Sequence, residues 1–165
     1  MPFQVTDDSG LLAIIDPDAY RSFVHADWTW ETIEEHFRRE MRERHLLIWG
    51  TGMEHVWSID VSFQPTRAEG YREITSSIMS SQGRLLLTNY ESLTMAAQFP
   101  DVILPQPHKR EQVLSLSPGL YDCRIIQLLD PKSDALFEET ISFICEFTRA
   151  TSSRAAWSEI PWSGA

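Results

Sequence analysis

The sequence predicts a mainly β protein of the α+β class: an antiparallel β-sandwich with one amphipathic helix near residues 29–44. Three observations predict it. Short apolar segments recur between turn signals, most of them repeat with a period of two, and the period becomes helical once. A length of 165 residues fits one domain. We place a single sandwich-like domain at 1–148 and a C-terminal tail at 149–165.

The first elements follow from local chemistry. An unbroken apolar run predicts a strand at 11–15, and the turn formers Asp16, Pro17 and Asp18 end it. Residues 19–25 allow either a strand or a single helical turn. The turn therefore carries two carboxylates, those of Asp16 and Asp18.

The helix is predicted at 29–44 and carries an apolar stripe at spacings of three and four, made by Trp30, Ile33, Phe37 and Met41. Either Asp27 or Thr29 can cap it, because a side-chain oxygen at that position accepts a free backbone N–H of the first turn. Acid–arginine pairs four residues apart are expected on the opposite face: Glu34–Arg38, Glu35–Arg39 and Glu40–Arg44.

The remaining elements are strands and one short helix. Residues 55–63 alternate cleanly between apolar and polar side chains, which is typical of a half-buried antiparallel strand. Residues 113–116 and 121–129 are predicted to form a hairpin about Ser117–Gly119. We expect the tail to dock through Trp157, Ile160 and Trp162. The other predicted strands are 45–49, 71–79, 84–88 and 140–148, with a short helix at 90–99.

The charge is strongly negative and uneven along the chain. The formal net charge is -10 and the isoelectric point is about 4.9. The first 35 residues hold eight of the acids and one base. An acidic surface disfavours nucleic acid or an anionic membrane as the main partner and permits a basic protein. The amino terminus lacks signal-peptide features and no apolar run reaches about 20 residues, so we expect a cytoplasmic protein.

Catalytic and cofactor signatures are absent from the sequence. It has no nucleophile elbow, P-loop, dinucleotide fingerprint, zincin motif or CxxC, and it predicts no cofactor, no metal site and no catalytic residue. Cys123 and Cys145 lie in apolar segments and are expected to be buried thiols. His25 with Asp27 offers an acid–base pair, but local hydrogen bonding at the helix cap is the favoured reading.

Aromatic residues beside acids at the start of the helix suggest a protein-binding surface. Trp28 departs from the apolar stripe, so it is either an exposed anchor beside Asp27 and Glu31 or a hydrophobic staple at the helix start. Exposed aromatics supply a desolvated anchor, while acids steer a basic partner. The candidate partner-binding set is Asp16, Asp18, Asp27, Trp28, Glu31, Glu34 and Glu35.

Two segments resemble a known family, the inhibitors of the bacterial competence DNA-entry nuclease. One is Asp-Trp-Thr at 27–29 leading into the acidic helix start at 31–34 and the aromatic Phe37. The other is the turn with glycine and then tyrosine at 116–121. The resemblance implies a small acidic β-rich protein of the cytosol that binds and inhibits a nuclease. More broadly, it is similar to bacterial immunity proteins that protect a cell from its own toxin.

Three functional readings remain open from the sequence. The leading one is a non-enzymatic inhibitor or immunity protein that occludes a basic enzyme, a nuclease, with its acidic face. The alternative is a lectin-type or sensor-type sandwich whose Trp49, Trp57 and Tyr121 line a concave face for a small ligand. The third is an enzyme that uses His25 and Asp27 or scattered carboxylates.

Overall fold

The computed structural model describes residues 2–133 and 140–164. Nine strands and two α-helices lie within them, together with a short 3₁₀ segment at Pro107–Gln112. The helices are α1 (Trp30–Arg42) and α2 (Tyr90–Gln98). The strands are β1 (Phe3–Asp7), β2 (Leu11–Ile15), β3 (Leu46–Gly50), β4 (His55–Ser62), β5 (Arg72–Ser80), β6 (Arg84–Asn89), β7 (Val113–Ser115), β8 (Gly119–Gln127) and β9 (Phe143–Arg149).

The strands form two sheets that pack face to face. A four-stranded sheet has the order β3-β2-β6-β7, and a five-stranded sheet has the order β1-β4-β9-β8-β5. Neighbours are antiparallel except β4 and β9, which run parallel from Ile59 opposite Phe143 to Ser62 opposite Glu146. The predicted class, a mainly β sandwich with one prominent helix, is confirmed.

The molecule has three layers because the four-stranded sheet is covered on both faces. One face meets the five-stranded sheet across a core that includes Leu12, Leu47 and Trp57. The other face meets α1 and α2 across a second core that includes Ile48 and Phe37. Double burial explains why β2 and β3 read as unbroken apolar runs and why β6 holds three consecutive leucines, whereas β4 alternates.

Strand β1 was not expected from the sequence, because the last of its inward-facing residues is an acid, Asp7. Asp7 is 1% exposed, and donors satisfy both its carboxylate oxygens. Oδ1 accepts the backbone N–H groups of Ser9, Gly10 and Leu11, while Oδ2 accepts Thr51 Oγ1 at 2.7 Å and Trp57 Nε1 at 2.9 Å. A buried carboxylate with five donors is stable, and here it locks the β1–β2 turn to the end of β3.

Helix α1 begins at Trp30 with a capping box, in which Thr29 and Thr32 exchange hydrogen bonds. Ile33, Phe37 and Met41 face the core as predicted, but the prediction was wrong for Trp30, which is 44% exposed. The first residue of a helix lies at the rim of the layer and has no sheet beneath it. Of the predicted ion pairs, Glu34–Arg38 is formed, whereas Glu35 pairs with Arg42.

Glu40 was expected to pair with Arg44 on the surface. The structure instead places Glu40 in the interior. It is 1% exposed and accepts the Arg21 N–H at 2.7 Å, with His45 Nδ1 at 3.3 Å. Glu40 therefore ties the irregular segment after β2 to the end of α1. Arg44 instead bonds the carbonyl oxygens of Met41, Arg42 and Arg154.

The predicted hairpin between residues 113–116 and 121–129 was wrong. β7 pairs with β6 in one sheet, and β8 pairs with β5 and β9 in the other. The turn residues Ser117–Gly119 carry the chain across the sandwich instead of folding it back. The Tyr121 hydroxyl donates to the carbonyl oxygen of Ser117 at 2.6 Å and fixes this crossing.

The C-terminal tail lies along the edges of β5 and β3, where the two sheets would otherwise be open. Trp157 packs against both cores and donates its Nε1 hydrogen to the Thr75 carbonyl at 3.1 Å. Ile160 is 7% exposed in the helix-side core, and the Gly50 N–H donates to the Pro161 carbonyl at 2.8 Å. In the described part of the chain, no helix is long and apolar enough to span a membrane.

Candidate partner-binding surface

A cleft of about 540 Å³ opens at one end of the sandwich, where α1 begins. We call it the Trp30 cleft. Three other segments form its walls: the β1–β2 turn, the β3–β4 turn and the end of the tail. Its lining residues are Ser9, Gly10, Leu11, Trp30, Glu34, Gly52, Met53, Glu54, Trp162, Ser163 and Gly164. A concave surface of this size is large enough to accept a side chain of another molecule.

Trp30 is the exposed aromatic residue of the Trp30 cleft. Its ring contacts Tyr90 with 6.3 Å between centroids, so one side is supported by the start of α2. The capping box at Thr29 fixes the backbone that carries it. A large aromatic side chain that is held in place and still 44% exposed can bury much area at little cost in conformational entropy.

The charge around Trp30 is negative. Among the described residues that line the cleft, the charged ones are Glu34 and Glu54. A second hollow of about 360 Å³ lies beside it and includes Asp8, Tyr90 and Glu91. The Glu91 carboxylate accepts the backbone N–H of Asp8 at 3.0 Å, which joins the β1–β2 turn to α2. Trp30 and Tyr90 therefore lie between two acid-lined hollows.

Cationic groups border the Trp30 cleft but are already engaged. Arg38 is paired with Glu34. The guanidinium of Arg72 lies over the Trp162 ring, 4.2 Å from its centroid, and its Nε donates to Gln127 Oε1 at 2.6 Å. The contact between Arg72 and Trp162 anchors the tail, because the arginine belongs to β5 and the tryptophan to the tail.

Asp16 and Asp18, two of the predicted site residues, form the turn after β2. Asp16 has no exposed area, and its carboxylate accepts the N–H groups of Asp18 and Ser81. Asp18 pairs with Arg84 through two hydrogen bonds of 2.9 Å, which lower the pKa of the Asp18 carboxyl below its usual value. Asp16 holds β5 and β6 to this turn, and Asp18 is matched by a cation.

The other five predicted residues lie at the start of α1. Asp27, Glu31 and Glu35 are exposed, while Glu34 is half-buried beside Arg38. Trp28 is half-buried and packs against the helix-side core, which favours its reading as a hydrophobic staple. The structure thus brings Glu34 to the Trp30 cleft and keeps Glu31 and Glu35 on the open face of the same helix.

His25 and Asp27 are joined by a local hydrogen bond just before the start of α1. The Asp27 backbone N–H donates to His25 Nδ1 at 2.9 Å, which is the local hydrogen bonding favoured from the sequence. Within residues 2–133 and 140–164, no group of three or more histidine, cysteine or acidic side chains is arranged to hold a metal ion. Cys123 and Cys145 are buried free thiols, and burial raises the pKa of the Cys123 thiol.

The prediction that Trp49, Trp57 and Tyr121 line a concave face for a small ligand was wrong. Trp49 and Trp57 are fully buried and Tyr121 is 7% exposed, because all three fill the core between the sheets. An apolar strand face suits either a core or a concave ligand-binding surface, and the sequence does not say whether a second sheet covers it.

Sequence reasoning missed three parts of the Trp30 cleft: Trp30 itself, Glu54 and the end of the tail. The signal for Trp30 was present, since the first residue of a helix after a capping threonine often lies at the rim. Glu54 carried no signal, and Trp162 was expected to dock without any indication of where, because their approach to α1 depends on how distant segments fold together.

No protein-family model matches the chain. No curated protein matches it in sequence. Two solved structures share its fold. One, described as crocagin biosynthetic gene J, has a TM-score of 0.57 at 13% identity and covers 90% of this chain and 94% of that one.

The other is ComJ from Bacillus subtilis, an inhibitor of the DNA-degrading activity of NucA. It has a TM-score of 0.53 at 11% identity and covers 91% of this chain and 96% of ComJ. The resemblance suggested by residues 27–37 and 116–121 is therefore matched by a shared fold over nearly the whole of both chains.

Proposed function

We propose that this protein is a non-enzymatic bacterial inhibitor or immunity protein that acts in the cytoplasm. It binds a basic enzyme, a nuclease, and blocks that enzyme by occlusion. Its contact surface is centred on the Trp30 cleft and extends over the acidic start of α1. Trp30 is the anchor, and Glu31, Glu34, Glu35 and Glu54 supply the negative charge. Arg38 and Arg42 offset that charge in part through their pairs with Glu34 and Glu35.

The observation that carries the proposal is the exposed, supported ring of Trp30 between acid-lined hollows. Tryptophan is among the residues that contribute most to binding energy at interfaces when it enters a desolvated pocket. The acids around it steer a cationic partner and raise the association rate more than they add affinity. The net charge of -10 extends this attraction beyond the contact itself.

The fold adds support from an independent direction. ComJ has the same fold and inhibits the DNA-degrading activity of NucA. An enzyme that holds DNA does so with lysine and arginine side chains on phosphates. Carboxylates placed on those cations would form charge-assisted hydrogen bonds and exclude the DNA backbone. Glu31 and Glu35 are exposed and one helical turn apart, which suits a row of such cations.

The test begins with capture of the partner. A lysate of the source organism is passed over the immobilised protein, a salt gradient elutes what is bound, and each eluted protein is assayed for degradation of DNA. We expect a basic nuclease whose activity falls to zero near one equivalent of added inhibitor.

The contribution of the cleft is then measured with the variant Trp30→Ala/Glu34→Lys/Glu54→Lys. We expect its inhibition constant to rise by about 100-fold or more, because the anchor and two steering charges are lost together. The matched control, Asp60→Lys/Glu69→Lys, reverses two exposed acids elsewhere and should inhibit like the wild type. Thermal unfolding of all three proteins checks that they are folded.

Two outcomes would contradict the proposal. One is capture of a partner whose DNA-degrading activity is unaffected by a large excess of this protein. The other is equal loss of inhibition in the cleft variant and the control, which would assign the effect to net charge and not to this surface.

A further inference from the structure

Another cavity, separate from the two hollows beside Trp30, lies at the opposite end of β4 from the Trp30 cleft. The Trp30 cleft includes Gly52, Met53 and Glu54, just before β4 begins, whereas this cavity includes Phe63, just after β4 ends. Its volume is about 370 Å³. We call it the end pocket, and Phe63, Leu116, Tyr121, Phe147 and Arg149 line it. It plays no part in the proposed function.

The register of the sheet explains why the end pocket exists. Tyr121 is paired with Arg149, and Cys123 is paired with Phe147, two residues further into the sheet. Tyr121, Cys123 and Phe147 all face the core between the sheets, so Arg149 occupies an inward-facing position by the same period of two. An arginine therefore lies at the mouth of the apolar interior.

The second sheet does not cover these positions. β7 is three residues long, and the chain leaves it at Leu116 to cross to β8. Phe63 continues the inward face of β4 and stacks on Phe147 with 6.0 Å between ring centroids, yet it is 50% exposed. The end of the sandwich is thus an apolar hollow that is open to solvent.

Arg149 is exposed, and two contacts orient its guanidinium along the rim of the end pocket. It lies 5.4 Å from the centroid of the Tyr121 ring, and Nη1 donates to the Tyr121 hydroxyl oxygen at 3.3 Å. It also packs against the backbone of Gly119, where an added Cβ would come within 2.4 Å of Nη2. Glycine at that position is what allows the guanidinium to approach.

The guanidinium of Arg149 is exposed at the rim of the end pocket, where it is available to an anion. In the described ranges 2–133 and 140–164, no carboxylate forms an ion pair with it, whereas Arg38, Arg84, Arg124 and Arg154 each have one. A planar guanidinium is suited to bind a carboxylate through two parallel hydrogen bonds. The adjoining rings of Phe63 and Phe147 are suited to an aromatic group.

We infer that the end pocket binds a small aromatic monocarboxylate. The carboxylate lies on the guanidinium of Arg149, and the ring lies against Phe63 and Leu116. The volume of the pocket is within the range of small-molecule sites and accommodates one aromatic ring with a short substituent. The chain would then have two separate binding regions, one for a protein at the Trp30 cleft and one for a small acid.

The inference is tested by calorimetric titration of the full chain with benzoate, phenylacetate and indole-3-acetate. The neutral counterparts benzamide and phenylacetamide are titrated alongside. We expect saturable one-site binding of at least one of the acids and at least tenfold weaker binding of its amide. Arg149→Gln should weaken the acid by about tenfold or more, while Arg110→Gln, at an exposed arginine elsewhere, should leave it unchanged.

Ser115→Trp provides a second variant that leaves Arg149 in place. Ser115 is exposed and lines the end pocket, so the larger side chain should fill the pocket and abolish binding without disturbing the core. Thermal unfolding of each variant verifies that it is folded.

Three results would overturn the inference. They are the absence of saturable binding by all three acids, equal binding by the acids and their amides, and unchanged binding in both Arg149→Gln and Ser115→Trp. A pentapeptide ending in phenylalanine that binds more than tenfold tighter than every small acid would also overturn it, in favour of a protein C-terminus as the ligand.

Discussion

The two sheets of this protein differ in how many of their faces are covered. The four-stranded sheet is buried on one side by the second sheet and on the other by α1 and α2. The five-stranded sheet turns one face to the core and the other outward, where Val56 is 50% exposed and Asp60 is also exposed. The first sheet therefore holds the layers together, and the second presents an alternating polar surface.

The difference shows where binding sites can form. A sheet covered on both faces has no free surface, so its residues reach solvent only at its ends and edges. The Trp30 cleft and the end pocket both lie at such ends, where one layer stops before the next. Pockets at the ends of layers combine apolar floors, exposed aromatic side chains and charged side chains from neighbouring turns.

The largest expected effect tests the double burial directly. Leu47 and Ile48 are neighbours on β3 that face different cores, and each is at most 1% exposed. Leu47→Ala and Ile48→Ala should each lower the free energy of unfolding by about 2–5 kcal/mol. Denaturant unfolding of the purified variants measures this.

Two positions on opposite faces of β4 provide the matched comparison. Ile59→Ala, at a fully buried position, should cost about as much as the β3 variants, whereas Val56→Ala, on the open face, should cost less than about 1 kcal/mol. A small loss for either Leu47→Ala or Ile48→Ala would mean that one face of the four-stranded sheet is poorly packed, and the three-layer description would fail.

The pattern of apolar residues predicted most of the strands because burial and periodicity are linked. Residues 11–15 and 55–63 were assigned to strands from opposite patterns, an unbroken run and an alternation. The layer order was not predicted, since both patterns suit several arrangements. β1 was missed because its inward position holds Asp7, and a buried carboxylate is recognisable only when its five donors are seen together.

The second prediction concerns the edge where the tail joins the two sheets. At Gly50, an added Cβ would lie 2.2 Å from the carbonyl oxygen of Trp162. Gly50→Ala should therefore displace the end of the tail and lower the free energy of unfolding by about 1–3 kcal/mol, the usual cost of overpacking. Trypsin should cut after Arg154 faster than in the wild type, while cleavage after Arg67, in a distant loop, provides the internal control.

An unchanged ratio of the two cleavage rates would contradict this view of the tail. It would mean that the end of the tail moves aside without cost and that the sheet edges are closed by Trp157 and Ile160 alone. The Trp30 cleft would then lose the wall formed by Trp162, since that wall depends on the contact at Gly50.

The candidate site was less predictable than the fold. The acidic start of α1 was identified because its residues are adjacent in sequence, and Glu31, Glu34 and Glu35 lie where the helical period puts them. Asp16 and Asp18 were included because they are acids near the helix, but a turn acid is as readily used to hold backbone N–H groups. Which acids remain exposed depends on tertiary partners such as Arg84 and Ser81.

The third prediction uses a titratable group in the helix-side layer. His36 is 6% exposed, with Nε2 at 3.1 Å from the Tyr20 hydroxyl. Burial lowers the pKa of His36 below 6.5, an effect that Glu40 opposes and Arg39 reinforces. The folded protein thus keeps His36 neutral, and the unfolded chain takes up a proton more readily. The stabilisation is complete above pH 6.5 and is lost as the pH falls through the lowered pKa.

Denaturant unfolding between pH 7.5 and 5 measures this for the wild type and for His36→Phe. We expect the wild type to lose stability more steeply with falling pH than the variant, which has no titrating group at this position. If the free energy of unfolding depends on pH in the same way for both proteins, His36 is solvated in the folded state. The core beneath α1 would then be more accessible to water than the core between the sheets.

The smallest effect on stability, combined with a large effect on binding, is expected at the acidic face of α1. Glu31→Lys/Glu34→Lys/Glu35→Lys removes the Glu34–Arg38 and Glu35–Arg42 pairs and reverses a first-turn charge that favours the helix dipole. Exposed pairs and dipole interactions contribute little, so the free energy of unfolding should fall by no more than about 1.5 kcal/mol. Three exposed acids outside α1 supply a matched control, Asp60→Lys/Glu69→Lys/Glu111→Lys, with the same change in net charge.

Association with the captured nuclease should distinguish the two triple variants. The α1 variant should associate at least about tenfold more slowly than the control at low salt, and the difference should shrink as salt screens the charges. Stopped-flow measurement at two ionic strengths provides the comparison. If both variants slow association equally, the steering comes from the total charge of the molecule. The acidic start of α1 would then have no special role, although Trp30 could still serve as the anchor.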